Sequence, residues 1–119
     1  MNEKALEQRF VKWCQSKDII PIKGPSMFVK GIPDRYIQLP NGGGTIYVEF
    51  KGTSYYGLQP MQEWWKKYLT AADPLRYFLI DNLAELEAML AHLEMLIAIG
   101  PEVLAYTKTL LEAERNKSS

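Results

Sequence analysis

Cysteine and histidine are scarce in this sequence, with one of each, Cys14 and His92. A single cysteine excludes an intramolecular disulfide and a zinc cluster built on thiolates. The N-terminal segment lacks the apolar core of a signal peptide, and no apolar run approaches the length that spans a bilayer. These absences predict a cytoplasmic protein without a membrane association.

Net charge is also absent, because fourteen Lys and Arg residues balance fourteen Asp and Glu residues. This balance argues against strong non-specific binding to nucleic acids. It is uneven along the chain: residues 1–70 carry ten basic and six acidic side chains, and residues 71–119 carry four and eight. The basic half suggests a polyanionic substrate. The 119 residues are enough for one domain with a modest core.

The most informative stretch runs from Gly31–Asp34 to Glu49–Lys51. The intervening Pro40–Gly44 is a dense turn signal between an alternating segment and a β-branched, aromatic one. Residues 36–51 are therefore predicted to form a β-hairpin. Folding it near Asn41 brings Asp34 beside Glu49. Because strand side chains alternate between faces, Glu49 and Lys51 should face a cleft while Phe50 enters the core.

This pair of carboxylates indicates a particular chemistry. Neighbouring carboxylates raise each other's pKa unless a cation lies between them, and hard oxygen ligands suit Mg²⁺ or Mn²⁺. A lysine two residues further along the strand can contact a metal-bound water or a phosphate. Asp34, Glu49 and Lys51 therefore favour metal-assisted phosphoryl chemistry. These residues alone do not select DNA, RNA or a small phosphate ester.

The rest of the chain predicts helices and further strands around the hairpin. Helices are indicated over residues 3–17 and from Pro60 to about Ala72, with strands over 19–22 and 75–80. A helix over about 83–99 should end at Gly100-Pro101, and a last helix should run to about residue 114. The pattern is that of an α/β fold around a mixed sheet. The buried face of the second helix is expected to comprise Met61, Trp64, Trp65, Tyr68 and Leu69.

Several other residues have both a functional and a structural interpretation. Glu7, on the flank of the first helix, is either a solvated glutamate or a third carboxylate at the cleft. Tyr55 and Tyr56 lie in a predicted loop and are candidates for stacking on an unpaired base. His92 is interpreted as a packing or surface residue. Residues 88–99 are apolar on more than one face, which favours a homodimer contact.

The ordered set of Glu7, Gly31–Arg35, Val48–Lys51 and Gln59 resembles the PD-(D/E)XK nuclease superfamily. More narrowly, it resembles the VRR-NUC branch, the virus-type replication–repair nucleases. The resemblance covers roughly residues 4–90. It implies an α/β, restriction-endonuclease-like fold with a mixed β-sheet and a central β-hairpin flanked by helices. Residues 1–119 would form a single nuclease domain, with extra C-terminal helices over about 91–114 as a possible dimer contact.

The same resemblance implies roles for the residues of the hairpin and first helix. Asp34 and Glu49 would hold Mg²⁺ or Mn²⁺ together with the backbone carbonyl of Phe50. Lys51 would orient, or help to deprotonate, the attacking water. Glu7 would hold a metal-bound water or a second metal.

The activity implied is a metal-dependent, structure-selective DNA endonuclease. Stand-alone members of the branch are mostly viral or bacterial, and they are similar to homodimeric nucleases that cut branched DNA such as four-way (Holliday) junctions. Gln59 would steady the lysine or the scissile phosphate. The candidate DNA contacts are Lys23, Lys30, Arg35, Tyr55, Tyr56 and Lys66.

Three alternatives stay open at this point. The first is a nuclease that acts on flap or single-stranded DNA. The second is a non-catalytic DNA-binding module on the same fold. In the third, Asp34, Glu49 and Lys51 form a buried salt-bridge network that serves stability alone.

Overall fold

The computed structural model describes residues 1–52 and 57–118. Within these residues it is a mixed α/β fold with a four-stranded mixed sheet and three helices, which confirms the predicted class. The elements in chain order are α1 (Glu3–Ser16), β1 (Ile22–Lys23), β2 (Arg35–Leu39), β3 (Gly44–Phe50), α2 (Pro60–Ala72), β4 (Tyr77–Ile80) and α3 (Leu83–Ser118).

The predicted hairpin is confirmed. Strands β2 and β3 pair antiparallel, with Ile37 opposite Ile46 and Arg35 opposite Val48. The turn places Asn41 at φ 58° and Gly42 at φ 77°, a left-handed conformation that asparagine and glycine adopt most readily. The sheet order is β1-β2-β3-β4, with β1 antiparallel to β2 and β4 parallel to β3.

One face of the sheet packs against α1 and α3 and forms the core. The rings of Phe10 and Phe50 lie 5.6 Å apart between their centres, so the prediction that Phe50 enters the core is confirmed. Burying a side chain of this size contributes about 2–3 kcal/mol. The fully buried apolar residues of this layer include Leu6, Phe10, Cys14, Ile37, Ile46, Val48, Phe50, Leu86 and Leu93.

Helix α2 lies over the opposite face of the sheet. Tyr36 and Tyr47 of the hairpin line a cavity of about 420 Å³ together with Trp65 and Leu69 of α2. Pro60 occupies the first helical turn as expected.

The prediction that this apolar face of α2 is buried is wrong for most of its residues. Leu69 alone of that set is buried, whereas Trp64 is 52% and Tyr68 58% exposed. These two rings stack in parallel with their centres 5.4 Å apart, so they cover part of each other's apolar surface instead of packing on the sheet.

The prediction that a helix ends at Gly100-Pro101 is also wrong. Helix α3 continues through both residues to Ser118. Pro101 lacks the N–H that would bond to the carbonyl of Ile97, which weakens the helix locally. The residues that follow are mostly strong helix formers, and they restore the regular pattern. At the start of α3, Asn82 Oδ1 accepts the backbone N–H of Glu85 at 2.9 Å. This bond makes the Asn82 side chain the cap of the helix.

The two halves of α3 have different surroundings. Leu86, Met89 and Leu93 belong to the core, and His92 packs against Phe78 with ring centres 6.0 Å apart. The later half carries exposed large apolar side chains, namely Met95, Ile99, Val103, Tyr106, Leu110 and Leu111.

By length and composition, α3 could cross a membrane, contrary to the expectation from the sequence. A core helix that is mostly buried satisfies the same criterion, whereas 17% of this apolar window is buried, with Met89 and Leu93 in the core. The contradiction arises because the apolar segment continues past Gly100-Pro101, where the sequence predicted the helix to end.

Candidate functional site

The base of the hairpin brings two carboxyl groups together. Continuing the β2–β3 register by one residue places Asp34 opposite Glu49. The backbone N–H of Phe50 donates to Asp34 Oδ2 at 2.8 Å and holds this side chain against β3. Glu49 is 2% exposed and is therefore buried at the site. The expectation that it faces an open cleft is wrong.

Glu49 carries the strongest electrostatic perturbation at this site. Burial raises the pKa of Glu49 from 4.5 to about 9, and the charge of Asp34 and a hydrogen bond with its carboxylate add to the rise. The Lys51 ammonium opposes this rise in pKa. At neutral pH Glu49 therefore keeps a proton that lies against Asp34. A cation placed between the two groups could replace that proton.

Lys51 follows Glu49 by two residues and leaves the strand on the same face. Its backbone N–H donates to the carbonyl of Ile80 at 2.8 Å, so the ladder with β4 fixes its backbone position. The side chain is half-buried. Within the described part of the chain its ammonium forms no ion pair closer than 4.0 Å. This ammonium group can therefore donate to an external anion or to the oxygen of a water molecule.

Gln62 is a site residue that the sequence reasoning missed. Its Nε2 donates to Glu49 Oε1 at 3.4 Å, and its Oε1 accepts the backbone N–H of Gln59 at 2.9 Å. Gln59 is the N-cap of α2, so its link to the acidic pair passes through Gln62. The signal in the sequence was that Gln62 follows Gln59 by three residues, the spacing that is typical of a capping box.

The Gly31–Asp34 corner is held against the start of α2. Gly31 has φ +76°, and a Cβ there would lie 2.5 Å from the backbone of Met61. Trp65 Nε1 also donates to the carbonyl of Lys30 at 3.2 Å. The corner is therefore a close backbone contact that requires glycine, and it sets where the chain enters Asp34.

Glu7 pairs with Arg35 at 2.9 Å between carboxylate oxygen and Nε. The same guanidinium donates to the carbonyl of Pro21 at 2.9 Å. Because Arg35 follows Asp34 directly on an extended chain, its side chain leaves the sheet on the opposite face. The Glu7–Arg35 pair therefore lies on the other face of the sheet from Asp34 and Glu49, and among the described residues no hydrogen bond or ion pair joins the two pairs.

Glu3 is a second residue that the sequence reasoning missed. Partial burial and the charge of Asp34 raise the pKa of Glu3, while the charge of Lys51 lowers it. A Cβ on Gly52 would lie 3.6 Å from the Glu3 backbone nitrogen, which shows how closely the start of α1 approaches the end of β3. The signal in the sequence was its position one helical turn before Glu7.

The predicted DNA contacts are spread over several elements. Lys23 and Lys30 are exposed and Lys66 is half-buried. Arg35 forms an ion pair with Glu7. Tyr55 and Tyr56 lie outside the described residues.

Within residues 1–52 and 57–118, no three or more His, Cys, Asp or Glu side chains are grouped to hold a metal ion. The ligands available at the hairpin are the carboxylates of Asp34 and Glu49 and the peptide of Phe50. Such a set of oxygens suits a hard divalent cation whose remaining positions are taken by water. The buried acid beside a second carboxylate fits this assignment, because among the described residues no Lys or Arg nitrogen lies within 4.0 Å of either carboxyl group.

No known protein family matches the chain, and no curated protein matches it. The resemblance to the VRR-NUC nucleases stays a prediction carried by the residues quoted above.

Proposed function

We propose that this chain is a Mg²⁺- or Mn²⁺-dependent DNA endonuclease with a restriction-endonuclease-like arrangement of its α/β fold. The main support is one juxtaposition. Asp34 and the buried Glu49 face each other across the hairpin, and Lys51 lies on the same strand face as Glu49. These groups are the parts that metal-assisted phosphodiester hydrolysis needs.

Each residue has a definite task in this proposal. Asp34 and Glu49 hold the cation, with the carbonyl of Phe50 as a third oxygen ligand. When bound, the cation supplies a Lewis acid and lowers the pKa of a bound water. Lys51 orients the attacking water and balances negative charge on the phosphate. Gln62 keeps the Glu49 carboxylate in place through its amide.

The same observations weaken the alternative of a buried salt-bridge network. In such a network Lys51 would neutralise one of the two carboxylates. Within the described residues, however, no salt bridge joins Lys51 to Asp34 or Glu49. Two acids that share a proton next to an unpaired ammonium are poorly arranged for stability and well arranged for binding a cation and an anion.

The proposed substrate is branched DNA, such as a four-way junction, cut by a homodimer. Two active sites related by a two-fold axis suit a substrate of matching symmetry. The exposed apolar residues of the later half of α3 offer a surface for pairing two chains. Flap or single-stranded DNA is the alternative substrate.

A cleavage assay tests this function. The protein is incubated with labelled four-way junction, flap, single-stranded and duplex DNA, with Mn²⁺ or with EDTA. The proposal expects metal-dependent cleavage, with the junction cut best. Lys51→Ala should slow cleavage at least 100-fold, whereas Lys108→Ala, a matched change at an exposed position of α3, should leave it unchanged.

The contrary outcomes point to specific alternatives. Absence of cleavage on all four substrates, or full activity in Lys51→Ala, rejects the endonuclease. DNA binding without cleavage that is unchanged by Asp34→Asn favours the non-catalytic module.

A further inference from the structure

A groove of about 630 Å³ runs along α1 beside β1 and the first residue of β2. Its lining combines ammonium and guanidinium groups with side-chain amides. The lining residues that matter here are Lys4, Gln8, Lys12, Gln15, Lys23 and Arg35.

The polar residues of α1 form one continuous row. Lys4, Gln8, Lys12 and Gln15 follow one another at spacings of four, four and three residues, which places them on one face of the helix. Their span of eleven residues corresponds to roughly 17 Å of helix. A nucleic-acid strand presents roughly five phosphates over that length along the duplex axis.

The groove carries an excess of positive charge. Its one lining carboxylate, Glu7, is paired with Arg35 at 2.9 Å. Lys4, Lys12 and Lys23 are exposed and form no ion pair with any described residue. Three uncompensated ammonium groups therefore surround a concave surface that an anion could enter.

The groove lies on the other face of the sheet from the acidic pair, and the two approach each other where the start of α1 meets the end of β3. Arg35, at one side of the groove, follows Asp34 directly along the chain. Lys4, at one end of the row, follows Glu3, whose pKa responds to the charges of Asp34 and Lys51. A polyanion lying in the groove would thus pass close to the end of β3.

We infer that the α1 groove binds the phosphate backbone of the nucleic acid that is cut at Asp34 and Glu49. The choice of nucleic acid rests on the proposed function. Lys4, Lys12 and Lys23 contact separate phosphates along the strand, and the amides of Gln8 and Gln15 donate to phosphate oxygens between them. Such contacts fix position without reading base sequence. A row of this length suits a strand and exceeds what a single nucleotide can occupy.

Binding measured without cleavage tests this inference. Anisotropy of a labelled four-way junction is recorded in EDTA across roughly 50–200 mM salt, the range over which counterion release is large. The variants are Lys4→Gln, Lys12→Gln, Lys23→Gln and their combination. Lys108→Gln, at an exposed position of α3, is the matched control. These are exposed sites, so circular dichroism should show an unchanged fold.

Each groove substitution should lower the slope of log affinity against log salt by roughly 0.7–0.9, and the triple variant by the sum of three contacts. The triple variant should also bind roughly tenfold more weakly or worse at physiological salt. Lys108→Gln should match the wild type. An unchanged slope in the triple variant, or absence of binding by the wild type, overturns the inference. Equal competition by a polyglutamate chain overturns the assignment to a phosphate backbone.

The binding and cleavage assays together distinguish a failure of the groove assignment from a failure of the endonuclease proposal. If the triple variant loses DNA affinity but the wild type cuts nothing in Mn²⁺, the groove assignment stands and the endonuclease proposal fails. If the wild type cuts DNA and the triple variant keeps its salt slope, the endonuclease stands and the groove assignment fails.

Discussion

Replacing Glu49 with glutamine should make the metal-free protein more stable at alkaline pH. Glutamine has the shape of the protonated acid, so it can donate to Asp34 and still accept from Gln62, as Glu49 does. The glutamine amide is neutral at every pH, so the folded protein no longer has to keep a carboxyl group protonated at this buried position. The gain should grow with pH, because the ionised form of Glu49 is the one that folding disfavours.

The size of the effect follows from proton linkage. The folded pKa of Glu49 is about 9 and its ordinary value is 4.5, so between these pH values the folded state binds more protons than the unfolded state. The free energy of unfolding of the wild type therefore falls as pH rises through this window, by about 1.4 kcal/mol per pH unit at most. From pH 5 to pH 8 the difference between the variant and the wild type should grow by up to about 4 kcal/mol.

Urea denaturation at pH 5, 6.5 and 8 in EDTA measures this difference. Comparing two proteins that differ only at Glu49 cancels the titration of all other groups. Glu112→Gln, at an exposed position of α3, is the matched control and should run parallel to the wild type. Saturating Mn²⁺ should stabilise the wild type at pH 8 by about 2.7 kcal/mol at one hundred times the dissociation constant and leave Glu49→Gln nearly unchanged. Parallel pH profiles for wild type and Glu49→Gln would refute this account of the buried pair.

Three further outcomes are expected. Lys51→Ala should leave the Mn²⁺ affinity within a few-fold of wild type, measured by calorimetry, while slowing cleavage at least 100-fold; a large loss of metal affinity would contradict its assigned role. Gly31→Ala should lower the free energy of unfolding by more than about 1 kcal/mol in chemical denaturation, because it combines a positive φ with a clash against Met61; a neutral result would show that the corner can move. Leu110→Glu, on the exposed half of α3, should convert a dimer into a monomer in size-exclusion chromatography with light scattering; a monomeric wild type would refute pairing through this surface.

The hairpin could be predicted because its signals are local. The turn at Pro40–Gly43 and the alternation on both sides fix the register, and that register alone places Asp34 opposite Glu49. Glu3 and Gln62 could not be identified in this way. Their contribution depends on how α1 and α2 dock against the end of β3, which is a tertiary arrangement that no local pattern specifies.

The errors in the helices have the same origin. Trp64 and Tyr68 have the spacing of a buried face, but their rings stack on each other in solvent and leave Leu69 as the buried anchor of α2. Pro101 is usually a sign that a helix has ended, yet α3 continues through it because the flanking residues favour a helix. A single proline or a single apolar spacing does not decide either feature, because the fold depends on the sum of all neighbouring contributions.

Calorimetric titration with Mn²⁺ at pH 7, repeated in buffers of different ionisation enthalpy, tests the acidic pair most directly. If Asp34 and Glu49 hold a divalent cation, the wild type should bind Mn²⁺ and release close to one proton per ion, and Glu49→Gln should lose both the binding and the proton release. Binding without proton release, or unchanged binding by Glu49→Gln, would contradict the claim that this buried carboxyl pair is a metal site.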